Sequence, residues 1–171
     1  MKNLLKSLLI ILITLTTFQT SAQWTKTYYV DDFGDKTEQA YLGYIAEGIF
    51  SNSATNGSKL KVLVVVDKGR SLRFKIFEYG NNPANFSPDH VIVKTKSILN
   101  GEPQVLEFRA NQSGANVYLK KVEKDGMEDF IELLKKSTSI SVMFRETSKY
   151  SSSSYVFKID ATGFTKAYDS L

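Results

Sequence analysis

The chain has no cysteine. Disulfides, thiolate metal sites and thiol nucleophiles are therefore excluded, and so is lipid attachment through a cysteine behind an export signal. The fold must stand on its apolar core alone. Histidine is nearly absent too: His90 is the single one. A Ser-His-Asp triad would have to use it, and no GxSxG elbow accompanies it. A zinc site would have to combine it with carboxylates, a poor match to usual ligand sets. His90 opens a strand after Pro88-Asp89 and reads as a loop-edge residue. No Gly-rich phosphate cradle is present, since Asp67-Lys68-Gly69-Arg70 lacks P-loop spacing. Nor is there an internal repeat. Excess charge is also scarce: 22 Lys+Arg face 18 Asp+Glu. Lys2 and Lys6 lie in the N-terminal segment, so residues 23–171 carry 20 against 18, or +2. Overall charge gives a nucleic-acid partner no support, and none is expected.

The longest apolar run sits at the very start. Lys2 and Lys6 form a basic region, Leu8–Leu15 is apolar apart from Thr14, and Thr20-Ser21-Ala22 places small residues before a cleavage point. This is the grammar of an export signal over residues 1–22, with the mature chain beginning at Gln23. The run is too short for a stable membrane span, and nothing later approaches spanning length. The expected location is the periplasm or the medium. Residues 23–171 number 149. A single domain near that size buries about two-thirds of its unfolded surface.

The clearest structural grammar lies between Lys124 and Phe164. Met127, Phe130, Ile131 and Leu134 fall at i, i+3, i+4 and i+7, one face of an α-helix over about 126–136. Asp125 stands at the N-cap with Glu128 three residues on, and Lys135 and Lys136 close the helix. The period then changes to two. Ile140, Val142 and Phe144 form one strand face, and Tyr155, Phe157 and Ile159 form the matching face of the next strand. The connection Glu146–Ser154, with its run Ser151–Ser154, reads as an exposed loop.

Upstream, Trp24–Val30 and Tyr41–Phe50 read as strands. In the second, Gly43 and Gly48 mark a bulge or a close backbone approach. Residues 51–59 read as a loop with Asn56-Gly57 as its turn signal. Leu60–Val66 is apolar enough to be buried on both sides, and Asp67–Arg70 returns it as a hairpin into Leu72–Tyr79. Residues 80–89 read as a long loop. Val91–Thr95, Val105–Arg109 and Asn116–Val122 are shorter strands, separated by turns at Asn100-Gly101 and Ser113-Gly114. Phe164, Ala167 and Tyr168 suggest a short helical turn at the C-terminus. About nine short strands with frequent turns favour an antiparallel sandwich or barrel, and the β-sandwich is the expected fold.

Two clusters are candidates for ligands. Asp31, Asp32, Asp35 and Glu38 crowd one turn. Calcium is the cofactor such oxygens would take, although the spacing departs from the EF-hand pattern, and the alternative is an Asx-rich turn with solvated carboxylates. Arg73, Lys75, Phe77 and Tyr79 alternate on one strand face. Cations interleaved with aromatics bind polyanions, bases or sugars, or else cover apolar surface with their stems.

Trp24 followed by Asp31-Asp32, together with Phe157-Lys158-Ile159-Asp160-x-x-Gly163-Phe164-x-x-Ala167, resembles small exported β-sandwich proteins of Gram-negative bacteria. The VasI/TagO-like type VI secretion accessory proteins and the invasion-associated locus B family share this layout. The resemblance implies a periplasmic, non-enzymatic accessory or interaction module. The expected partner is another envelope or extracellular protein, or a glycan. The alternative is a small secreted hydrolase using carboxylate catalysis, with or without a metal.

Overall fold

The computed structural model describes residues 23–85, 90–97, 103–120, 126–147 and 152–171. Segment 1–22, where an export signal is expected, the helix cap expected at Asp125 and the turn expected at Asn100-Gly101 lie outside the described residues. Ten strands and two helices are described: β1 Thr25–Val30, β2 Lys36–Asn52, β3 Thr55–Asp67, β4 Ser71–Glu78, β5 Asn82–Pro83, β6 His90–Ser97, β7 Pro103–Ser113, β8 Asn116–Lys120, α1 Gly126–Lys136, β9 Ser137–Thr147, β10 Ser152–Asp160 and α2 Phe164–Asp169.

All pairings are antiparallel, as the frequent turns predict. One sheet holds every strand, in the order β1-β2-β10-β9-β6-β7-β8-β4-β3 with β5 beside β4. Strand β2 also pairs β3, so the path returns to its start and the sheet curls on itself. Two walls then face each other across one core, with the inward-outward alternation of a sandwich. Length makes β2 the seam. One of its edges carries β3 from Leu42 to Asn52, and the other carries β1 along Lys36–Gly43 and then β10 along Gly48–Ser51.

The core is aromatic. Phe74 lies 5.2 Å from Phe144, 5.6 Å from Phe130 and 6.1 Å from Phe157, between ring centroids. Helix α1 lays Phe130, Ile131 and Leu134 into this core, with Met127 at its margin, as the helical spacing predicts. The β9–β10 hairpin has the expected register: Tyr155 pairs Phe144, Phe157 pairs Val142 and Ile159 pairs Ile140. Phe164 of α2 is buried, and Ala167 and Tyr168 pack against the same core.

Several expectations need correction, among them the loop expected at 80–89, where Asn82–Pro83 forms β5 beside β4. The strand predicted at Tyr41–Phe50 runs from Lys36 to Asn52, because β1 and β10 share its edge. Asn56-Gly57 is not the turn. Between the pairs Phe50–Ser58 and Asn52–Thr55, β3 spends two residues against the single Ser51 of β2. That is a bulge, with Gly57 at φ 70°, and the turn is made by Asn52, whose Oδ1 accepts from the N–H groups of Ala54 and Thr55. Ser152–Ser154 belong to β10 and are not loop. Finally, β3 is not buried on both faces throughout: Lys61 and Leu63 are half-exposed, while Val65 is buried.

Candidate functional site: an outer hollow at Gly43

Alternation along β2 sends Leu42, Tyr44, Ala46 and Phe50 into the core and Tyr41, Gly43, Ile45 and Ile49 outward. Gly43 therefore interrupts a row of outward side chains. Its cross-strand neighbours are Thr25 on β1 and Val65 on β3, while Thr27 stands opposite Tyr41 and Leu63 opposite Ile45. The missing side chain leaves a hollow of about 410 Å³, walled by Gln23, Thr25, Thr27, Tyr41, Ile45 and Leu63 with Gly43 as its floor. That volume is in the usual range for small-molecule sites, roughly 300–1,000 Å³. Gly43 is thus neither a bulge nor a close approach. The pairs on both sides run without a shift, and a Cβ there would meet Tyr41 Cε2 at 3.9 Å and Leu63 Cδ1 at 4.0 Å, ordinary contact distances.

Beside the hollow a polar cluster ties β1 to the β3–β4 hairpin. The Tyr29 hydroxyl donates to Asp67 Oδ1 at 2.5 Å and accepts from Arg73 Nη2 at 2.9 Å. Arg73 Nη1 and Ser71 Oγ donate to Asp67 Oδ2 at 3.1 and 2.7 Å. Asp67 is only 6% exposed, and three donors, one of them the Arg73 guanidinium, satisfy its carboxylate oxygens. Burial first, and then the hydrogen bond to Asp67, raise the Tyr29 phenol above its ordinary pKa. The anchored Tyr29 ring lies 4.8 Å from that of Tyr41, so one wall of the hollow leans on a ring fixed at its far end. The hydroxyls of Thr27 and Tyr41 have no hydrogen-bond partner among the described residues.

The structure does not place Arg73, Lys75, Phe77 and Tyr79 side by side as one row. Arg73 is held by Asp67 and Tyr29. Lys75 sits 5.6 Å over the ring of Phe77, so these two remain together. Tyr79 lies beyond the end of β4 at φ 46°, a backbone conformation uncommon for a residue with a side chain. Its ring packs edge-on against Phe50 at 5.0 Å, away from that row. The hollow was missed because its walls come from β1, β2 and β3, three successive strands whose side chains only the pairing register brings side by side. Gly43 was the one available signal.

Asp31, Asp32 and Asp35 occupy the exposed β1–β2 turn. Asp31 Oδ1 accepts from the N–H groups of Phe33 and Asp35, both at 2.9 Å, and Gly34 takes φ 88°. One carboxylate oxygen is therefore engaged in shaping the turn. Among the described residues no group of three or more His, Asp or Glu is placed to hold a metal ion. The expected result is that millimolar calcium leaves the melting temperature unchanged, as followed by differential scanning calorimetry. A rise that disappears in Asp32→Ala would overturn this, since a ligand of the native state stabilises it by mass action.

Trp24, Asp160, Gly163 and Phe164 meet at one end of the core, whereas Asp31 and Asp32 lie apart in the exposed β1–β2 turn. The Trp24 indole N–H donates to the Asp160 carbonyl at 3.1 Å, and the Tyr44 hydroxyl accepts from the Asp160 N–H at 2.9 Å. The Trp24 ring packs 4.7 Å from Phe164 and 4.9 Å from Tyr44. Gly163, at φ 78°, turns the chain into α2. Burial raises the Tyr44 phenol above its ordinary pKa. Both ends of the described chain are locked here by packing. His90 opens β6, as predicted. Compared with protein-family models, curated proteins and solved structures, the chain matches none.

Proposed function

We propose that the chain is an exported, non-enzymatic binding or accessory module of the bacterial envelope, acting in the periplasm or outside the cell. The observation that carries this reading is the Gly43 hollow: a recess on an outward sheet face, with two hydroxyls among its walls that have no hydrogen-bond partner among the described residues. A recess with a few polar groups on an apolar lining suits recognition. Its lining contains no carboxylate, histidine or lysine, the groups that most often move protons in hydrolysis. The resemblance carried by Trp24 with Asp31-Asp32 and by the Phe157–Ala167 segment agrees with an accessory role, and the signal-like segment 1–22 supplies the route of export.

Two measurements test this reading. Mass spectrometry of the protein recovered outside the cytoplasm is expected to find Gln23 at the N-terminus. Intact Met1 on membrane-bound protein would overturn the export step. Affinity capture from envelope extract is expected to retain a partner on the wild type that Gly43→Val fails to retain. Identical capture by both would remove the hollow as the binding surface, and release of new reducing ends from envelope glycans would replace the module with the hydrolase.

A further inference from the structure

We infer that the Gly43 hollow takes a neutral saccharide unit, an inference that rests on the binding-module reading above. Charge is the first consideration. No side chain among Gln23, Thr25, Thr27, Tyr41, Gly43, Ile45 and Leu63 is charged at neutral pH, and the α-amino group that export cleavage would leave on Gln23 is removed when an N-terminal glutamine cyclises. A charged ligand desolvated here would meet no opposite side-chain charge in the lining, and burying an unpaired charge is costly. The nearby cation Arg73 is already committed to Asp67 and Tyr29.

The second consideration is the pairing of surfaces. A pyranose ring offers an apolar C–H face and an edge of hydroxyls that both donate and accept. The hollow offers the half-buried Tyr41 ring with Ile45 and Leu63, and beside them the hydroxyls of Thr27 and Tyr41 and the amide of Gln23. Hydroxyls and amides also donate and accept, so they match sugar hydroxyls in either sense. Tyr41 is held by the anchored Tyr29 ring, which reduces the ordering needed on binding.

The third consideration separates a saccharide from an extended peptide. A peptide strand adds to a sheet through free main-chain groups at an edge. The hollow lies on a sheet face. Around its floor the ladder runs Thr25–Gly43–Val65 across three strands, so β2 is flanked on both sides there. Recognition there falls to side chains.

Gly43→Val supplies the test. Gly43 does not lie at positive φ, its Cβ position meets only ordinary contacts, and valine suits a strand, so the variant should fold. The purified protein is titrated calorimetrically with cellotetraose, maltotetraose and chitotetraose, and with a tetragalacturonate as the charged probe. At least one neutral tetrasaccharide is expected to bind, with affinity falling tenfold or more in both Gly43→Val and Tyr41→Ala and with the melting temperature of Gly43→Val unchanged. Three results would overturn the inference: binding of the charged probe alone, no binding of any neutral probe, or equal binding by Gly43→Val. If envelope capture depends on Gly43 while no saccharide binds, the saccharide assignment falls and the binding module stands. If capture is also independent of Gly43, both fall.

Discussion

Gly48→Ala is expected to be among the most damaging single changes in this protein, although it adds one methyl group. A Cβ at Gly48 would lie 2.1 Å from the Val156 carbonyl oxygen, 2.8 Å from Phe157 Cβ and 2.9 Å from Phe157 Cα. Two of these atoms are backbone, so no rotamer change relieves the clash. The strands would have to separate along the ladder Gly48–Phe157 to Ser51–Ser154, the pairing that joins β2 to β10. Forcing extra volume into a packed site typically costs about 1–3 kcal/mol, and displacing paired backbone adds to it, so a loss of about 3–5 kcal/mol is expected. Domains of this size are stable by only about 5–15 kcal/mol. Gly43→Ala, five positions earlier in the same strand, is the control. It meets contacts no closer than 3.9 Å, and alanine loses less backbone freedom on folding than glycine, so it should be neutral or stabilising by up to about 1 kcal/mol. Urea denaturation of both variants decides. Equal, small losses would show that β2 and β10 have room to move apart.

Truncating Phe157 should produce a loss of similar size by the opposite route, an emptied core. Phe157 is 2% exposed, and its ring lies 5.5 Å from Phe144 and 6.1 Å from Phe74. Phe→Ala at such a site costs about 3–5 kcal/mol, combining lost transfer energy with the cavity left behind. Lys158 is the next residue and points the other way, exposed on the outer face. Lys158→Ala is expected to stay within about 0.5 kcal/mol of the wild type. Denaturant midpoints at unchanged slope give both numbers. Comparable losses at the two positions would mean that β10 is covered on both faces, and a larger loss at Lys158 would mean that its register is inverted. Glycine at 48 and phenylalanine at 157 are two halves of one arrangement, since the Phe157 stem occupies the space that a Gly48 side chain would need.

What could be read from the chain alone was local in sequence. Helix α1 and the inward faces of β4, β9 and β10 were legible because amphipathic period is carried by neighbouring residues. The β3–β4 hairpin was legible because Gly69 supplies φ 69° within a three-residue connection. The Asp31 turn was legible as an alternative to a metal site, since its hydrogen bonds span two and four residues. Other features depended on which strands become neighbours. Gly43 and Gly48 look alike in the sequence. One leaves an outward hollow and the other admits a strand at close range, because one stands between Thr25 and Val65 and the other against Phe157. Arg73 looked like a free cation until the fold placed Tyr29, 44 residues away, against it. The walls of the hollow were likewise invisible, because a cross-strand neighbour is set by sheet register. Register between β1, β2 and β3 follows from the turns at 31–35 and 53–54 and from which face of each strand is buried, and that face is chosen by the core as a whole.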